Sequence, residues 1–106
     1  MSTPETKVKQ RVKKILEEYR VYCFMPATGG YGRSGIPDIV GCYKGVFFAV
    51  ECKAGRGTTT ALQEKELRKI REAGGTAFVI NETNTEELSQ WLRDNSAMTV
   101  LKKGQK

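Results

Sequence analysis

The chain has 106 residues, a formal net charge of +6, a pI near 9.4 and no histidine. That length suits one domain around a single core, and the positive balance points to an anionic partner, of which nucleic acid is the commonest for a small basic domain. The lack of histidine excludes Ser-His-Asp and Cys-His triads, histidine-ligated zinc and histidine general bases, so any catalysis rests on carboxylates, lysine and a metal ion.

In chain order, Pro4 suits the first helical position after Ser2 or Thr3, and Val8, Val12, Ile15, Leu16 and Tyr19 recur at helical spacing to about Arg20. Lys7, Arg11 and Lys14 lie off that apolar stripe, whereas Glu5, three before Val8 and seven before Val12, projects near its middle. Glu5 is therefore either an inward-facing acid or a helix-start acid closing a Ser2-x-x-Glu5 capping box. Val21 to Met25 reads as a short strand, and the segment from Pro26 to Gly35 as a glycine-rich loop. The loop lacks the Gly-Lys-Ser/Thr ending of a P-loop, but its amides with Tyr31 and Arg33 suit a phosphodiester. Two strands follow, joined at Lys44-Gly45. Ala61 to Ala73 reads as a helix with Leu62, Leu67, Ile70 and Ala73 inward, and Gln63, or else its near neighbour Glu66, brings a polar group to that stripe. Gly74-Gly75 ends the helix, Thr76 to Ile80 is a strand, and Thr83 or Thr85 caps a last helix holding Leu88, Trp91 and Leu92. The order is α-β-β-β-α-β-α, with a domain over 1–95 and a basic C-terminal tail over 96–106. Cys23, Cys42 and Cys52 form no C-x-x-C pair and are expected to be reduced core thiols. No apolar run reaches transmembrane length and the start lacks a signal-peptide pattern, so a cytoplasmic protein without membrane partners is expected.

The chemistry concentrates in the central hairpin. If Lys44-Gly45 is a two-residue turn, Tyr43 pairs with Val46, Gly41 with Phe48 and Ile39 with Val50, so Asp38 falls opposite Glu51. The two-residue period of a strand then puts Lys53 on the face of Glu51. At about 5 Å and an effective dielectric of about 20, two carboxylates repel by roughly 3 kcal/mol, which calls for a cation or a raised pKa. A divalent, oxygen-loving metal is the natural occupant. The competing reading makes Asp38 a turn residue and Glu51 and Lys53 charges on a wet face. Against it, Val40, Cys42, Phe47 and Ala49 share their face while Ile39, Tyr43, Phe48, Val50 and Cys52 make the other, so the hairpin is expected to be buried on both sides.

Gly35-Ile36-Pro37-Asp38, then Glu51-Cys52-Lys53 across a hairpin, then Gln63 opening a helix that ends in Ala73-Gly74-Gly75 before an apolar strand, resembles the VRR-NUC domain of the PD-(D/E)XK nucleases. The resemblance spans roughly residues 4 to 92. It implies a restriction-endonuclease-like α/β core, a mixed central sheet flanked by helices, Mg²⁺ or Mn²⁺ dependence, and phosphodiester hydrolysis. It also implies that Asp38 and Glu51 are the principal metal ligands, with the Cys52 carbonyl a further one and Glu5 touching the metal directly or through water. Lys53 takes the place of the catalytic lysine and Gln63 that of the supporting glutamine. The valine-arginine-arginine signature is not present as such, and Cys52 replaces the more usual valine.

Lys7, Arg11, Lys14, Arg33, Lys44 and Arg56 are candidates for DNA backbone contacts, which set affinity without reading bases. No base-reading helix is recognisable, so structure-selective cleavage is expected, and the resemblance adds a homodimer able to nick a four-way or other branched DNA symmetrically. Two rivals are a catalytically silent nucleic-acid-binding module of the same fold and an adaptor using its basic surface on acidic proteins. The first predicts DNA binding without divalent-dependent cleavage, and the second no salt-sensitive DNA binding.

Overall fold

A computed structural model describes residues 3–27 and 34–104, the side chains of 97–104 excepted. The elements are α1 (Pro4–Glu18), β1 (Tyr22–Phe24), β2 (Ile39–Tyr43), β3 (Val46–Cys52), α2 (Ala61–Glu72), β4 (Thr76–Ile80) and α3 (Thr85–Gly104). The sheet order is β1-β2-β3-β4, antiparallel up to β3 and parallel between β3 and β4. This is the mixed sheet with flanking helices, in the order α-β-β-β-α-β-α, of a restriction-endonuclease-like fold. Among the described residues no helix is long and apolar enough to cross a membrane.

Register follows from the tight turn. Lys44 and Gly45 both have positive φ, 53° and 87°, as a type I′ hairpin requires, and Ile39↔Val50, Gly41↔Phe48 and Tyr43↔Val46 are the resulting pairs. Gly41 also lets β1 approach closely, since a Cβ there would stand 2.2 Å from the Tyr22 carbonyl oxygen. Alternation then sorts the sheet into two faces. Ile39, Tyr43, Phe48, Val50, Cys52 and Ile80 form one core with Val8, Val12, Ile15 and Leu16 of α1 and Leu88 and Leu92 of α3. Each fully buried aliphatic or aromatic side chain there contributes about 1.5–3 kcal/mol. Trp91 closes this layer, its ring centroid 5.5 Å from those of Phe48 and Phe78 and 6.2 Å from that of Tyr43.

Among the described residues the other face is packed mainly by α2 over β3 and β4, so the expectation of a hairpin buried on both sides holds for Ala49 and Glu51 and fails nearer the turn. Phe47 is 47% exposed, Cys42 is exposed, and Tyr22 and Phe24 beside them on β1 are 72% and 53% exposed. A helix of 12 residues spans about 18 Å and cannot also shield the first two strands. The three cysteines consequently differ: Cys52 is buried, Cys23 half-buried and Cys42 at the surface, all as free thiols. Burial, and then the Asp38 and Glu51 carboxylates, push the Cys52 thiol up to about 12, which makes it inert.

Two local expectations are corrected. Leu62 is 53% exposed and Ala73 is exposed, because the inward stripe of α2 runs instead through Gln63, Glu66, Leu67 and Ile70. Neither Thr83 nor Thr85 caps α3. The residue before the helix is Asn84, whose side chain ties back to the Asn81 N–H (2.7 Å) and the Val79 carbonyl (2.9 Å). The helix also continues unbroken across the 95/96 boundary to Gly104.

Candidate active site

Asp38 stands immediately before β2, next to the terminal Ile39↔Val50 pair, and Glu51 follows Val50 on β3 with Val79 as its partner on β4. Beyond Ile39↔Val50 the backbone ladder gives way to a side chain, with Asp38 Oδ2 accepting the Cys52 N–H at 2.8 Å. That bond fixes the Asp38 carboxylate at the strand end. On the other edge the Lys53 N–H donates to the Ile80 carbonyl at 2.9 Å, so β3 stays paired with β4 past Cys52 and presents Lys53.

Glu51 is 2% exposed. Its Oε2 receives Nε2 of Gln63 at 3.0 Å and lies 3.5 Å from Lys53 Nζ, while its Oε1 is buried with no hydrogen-bond partner. Burial first, and the Asp38 carboxylate second, raise its pKa to about 7, with Lys53 pulling the other way. An acceptor oxygen left bare in a buried two-carboxylate site is a place for a cation. Asp and Glu oxygens suit a hard ion such as Mg²⁺ or Mn²⁺, which typically uses one or two carboxylates and completes its shell with water and substrate phosphate. Among the described residues no three Asp, Glu or Cys side chains form a metal cluster.

The remaining expected residues distribute as follows. Gln63 reaches Glu51 because its helix start is held. Thr60 caps α2, the Thr60 N–H donating to Gln63 Oε1 (2.9 Å) and the Gln63 N–H to Thr60 Oγ1 (3.2 Å). Glu66, the other polar group considered, is buried farther along the same helix. Glu5 is half-buried in the first turn of α1, near enough for its charge to be felt at the Cys52 thiol. Thr3 caps α1 through the Thr6 N–H (3.1 Å), so Glu5 is not the third residue of this cap, and Ser2 lies outside the described residues. The Cys52 side chain points into the opposite core, leaving its backbone at the site.

Lys7, Arg11 and Lys14 are exposed along α1 and border two adjoining clefts of about 370 and 240 Å³ between α1 and the start of α3, with Glu82 of the β4–α3 connection and Glu86 of α3 sharing the lining. Arg56 is exposed in the loop after Lys53, a loop tied to the β4–α3 connection by the Gly55 N–H on Glu82 (2.8 Å). Lys44 lies over the Tyr43 ring, 5.6 Å from its centroid, at the hairpin tip about 20 Å along the strand from Asp38. Tyr31 and Arg33 lie outside the described residues.

Sequence reasoning missed Lys9. Its Nζ is 3.4 Å from Asp38 Oδ1, with 28% and 18% of the two side chains exposed. The signal was there in its position four after Glu5 and three before Val12, on the side of the helix that turns toward the sheet.

Gly35 joins the loop to the site. Its φ is +83°, and a Cβ there would stand 2.5 Å from the Leu62 carbonyl oxygen and 2.9 Å from the Gln63 nitrogen. Gly35→Ala is expected to cost about 2–4 kcal/mol, combining left-handed strain with overpacking against backbone, and to shift the α2 start that carries Gln63. Denaturant unfolding measures the cost, and a stability within about 0.5 kcal/mol of the parent would show that the loop does not seat there.

A family model described as archaeal Holliday junction resolvase (Hjc) matches residues 7–95. No curated protein matches the chain. The match agrees with the nuclease superfamily expected from the residues, and it points to junction resolvases without singling out the VRR-NUC branch.

Proposed function

Because this chain belongs to the archaeal Holliday junction resolvase family, a family of structure-selective nucleases acting on DNA junctions, we propose that it is a divalent-metal-dependent endonuclease cutting four-way DNA as a homodimer. The observation that carries the reading is the bare, buried Oε1 of Glu51 next to Asp38, with Lys53 on the other oxygen. Asp38 and Glu51 would hold Mg²⁺ or Mn²⁺, with the Cys52 carbonyl and Glu5 as further donors, as the VRR-NUC resemblance implies. Such an ion supplies neutralisation of the phosphodiester and acidification of water. Lys53 orients the attacking water and offsets charge that develops on phosphorus oxygens. Gln63 keeps the Glu51 carboxylate facing the site. Lys7, Arg11, Lys14, Lys44 and Arg56 would contact backbone phosphates, which suits recognition of DNA shape.

The uncovered sheet face supports the dimer. Tyr22, Phe24, Cys42 and Phe47 make an uncharged patch on a chain of net charge +6, so two copies meet there without opposing like charges. A supercoiled plasmid bearing a cruciform tests both halves of the reading, with and without Mn²⁺. The parent chain is expected to linearise it only with metal, and Phe47→Lys to sediment as a monomer and leave nicked circles, since one site is lost before the second cut. Plasmid bound but never cut in Mn²⁺ would identify a silent binding module instead.

A further inference from the structure

Among the described residues, each of the two site acids has one lysine within ion-pair distance. Lys53, two residues beyond Glu51 and just past the end of β3, keeps only 13% of its side chain exposed. Lys9 is different. It comes from α1, keeps 28% of its side chain exposed, and stands 3.4 Å from Asp38 Oδ1, beyond the roughly 2.7–2.9 Å of a charge-assisted hydrogen bond. Its ammonium is a compact charge on a flexible four-carbon stem. Asp38 Oδ2 is already committed to the Cys52 N–H, so Oδ1, the oxygen Lys9 touches, is the one left to face a cation.

Building on the metal-site reading above, we propose that Lys9 is a movable counter-ion. It holds Asp38 in the resting chain and passes to a backbone phosphate of entering DNA, so that Oδ1 becomes available to the divalent ion. An ammonium and a divalent ion repel strongly at such a distance, so metal and Lys9 compete for Asp38, and DNA relieves the competition by giving Lys9 another anion. Metal and DNA then bind with positive coupling, each strengthening the other by the same factor. Lys9 is in this role a positioning residue acting through Asp38.

The test compares the full-length parent chain, Lys9→Met and Lys9→Arg by electron paramagnetic resonance titration of Mn²⁺, without DNA and with a short four-way junction. Glu51→Gln serves as the control that locates the bound ion. Lys9→Met is expected to bind Mn²⁺ about five-fold more tightly than the parent without DNA, the effect of one partly exposed ion pair, and to lose most of the DNA-induced gain. Lys9→Arg should keep both parental properties. Equal Mn²⁺ affinity of parent and Lys9→Met without DNA overturns the proposal, as does a DNA-induced gain undiminished in Lys9→Met. A purely structural role would change the melting temperature and leave both quantities alone. If no variant binds Mn²⁺ under either condition, the metal-site reading falls with it, whereas binding that is lost in Glu51→Gln and indifferent to Lys9 removes this inference alone.

Discussion

Glu51→Gln and Asp38→Asn are each expected to lower cleavage by on the order of 10³-fold or more while leaving junction affinity within a few-fold of the parent. Both changes preserve shape. After Asp38→Asn the new amide oxygen would still accept the Cys52 N–H, and after Glu51→Gln the new amide oxygen would still accept from Gln63, so the strand ends and the start of α2 stay in place. What is removed is carboxylate charge, on which a hard divalent ion depends. The basic side chains of α1 and of the loop after Lys53, the proposed phosphate contacts, are untouched. Lys53→Ala should fall in the same class, since its ammonium 3.5 Å from Glu51 has no replacement on that strand. Single-turnover cleavage of a labelled junction and an electrophoretic binding assay, run on the same preparations, separate the two effects. An Asp38→Asn protein cutting at the parental rate would remove the basis for a metal at this site.

The second large effect concerns stability and pH. In the unfolded chain Glu51 titrates near 4.5, whereas in the metal-free fold burial and Asp38 hold it near 7. Between those values the native state keeps a proton that the unfolded state releases, so native stability falls as pH rises through the window. The loss is fully developed above about pH 7 and amounts to at most about 3 kcal/mol, at 1.36 kcal/mol per unit. For a domain of this size that corresponds to a fall of about 10 °C or more in melting temperature. Glu51→Gln cannot titrate and should flatten the profile, because its neutral amide puts no carboxylate charge into the buried site beside Asp38. It is therefore expected to be more stable than the parent in EDTA above neutrality. Mn²⁺ should restore the parent more at about pH 8 than at about pH 5, where protons compete for Glu51. Calorimetric scans in EDTA over this range decide the matter, and parallel profiles for parent and Glu51→Gln would show that Glu51 is ionised throughout.

The hairpin that carries Asp38 and Glu51 was legible in the residues because its information is local. A two-residue turn at Lys44-Gly45 determines every pair up to Ile39↔Val50, and the acids follow by extension. Gln63 was legible as an inward polar residue, and the Thr60-x-x-Gln63 spacing also marks the capping box that holds it. Coverage of the sheet was not, because whether Phe47 and Cys42 are shielded depends on how far a helix of another segment reaches across them. Lys9 was hidden for the same reason: a lysine bordering an apolar stripe reads as a solvated edge until the chain brings Asp38 under it. The exposure of Leu62 likewise reflects where the Gly35 loop seats the first turn of α2, a contact between segments far apart in sequence.

Gln63 engages both ends of its amide, Oε1 on the Thr60 N–H that begins α2 and Nε2 on Glu51. Helix start and acid placement are therefore one event in time. Unwinding the first turn of α2 would take the amide donor from Glu51 Oε2 while Lys53 stays 3.5 Å away. Turns at helix ends open and close in far less than a millisecond, so loss and return of that donor would be fast local events.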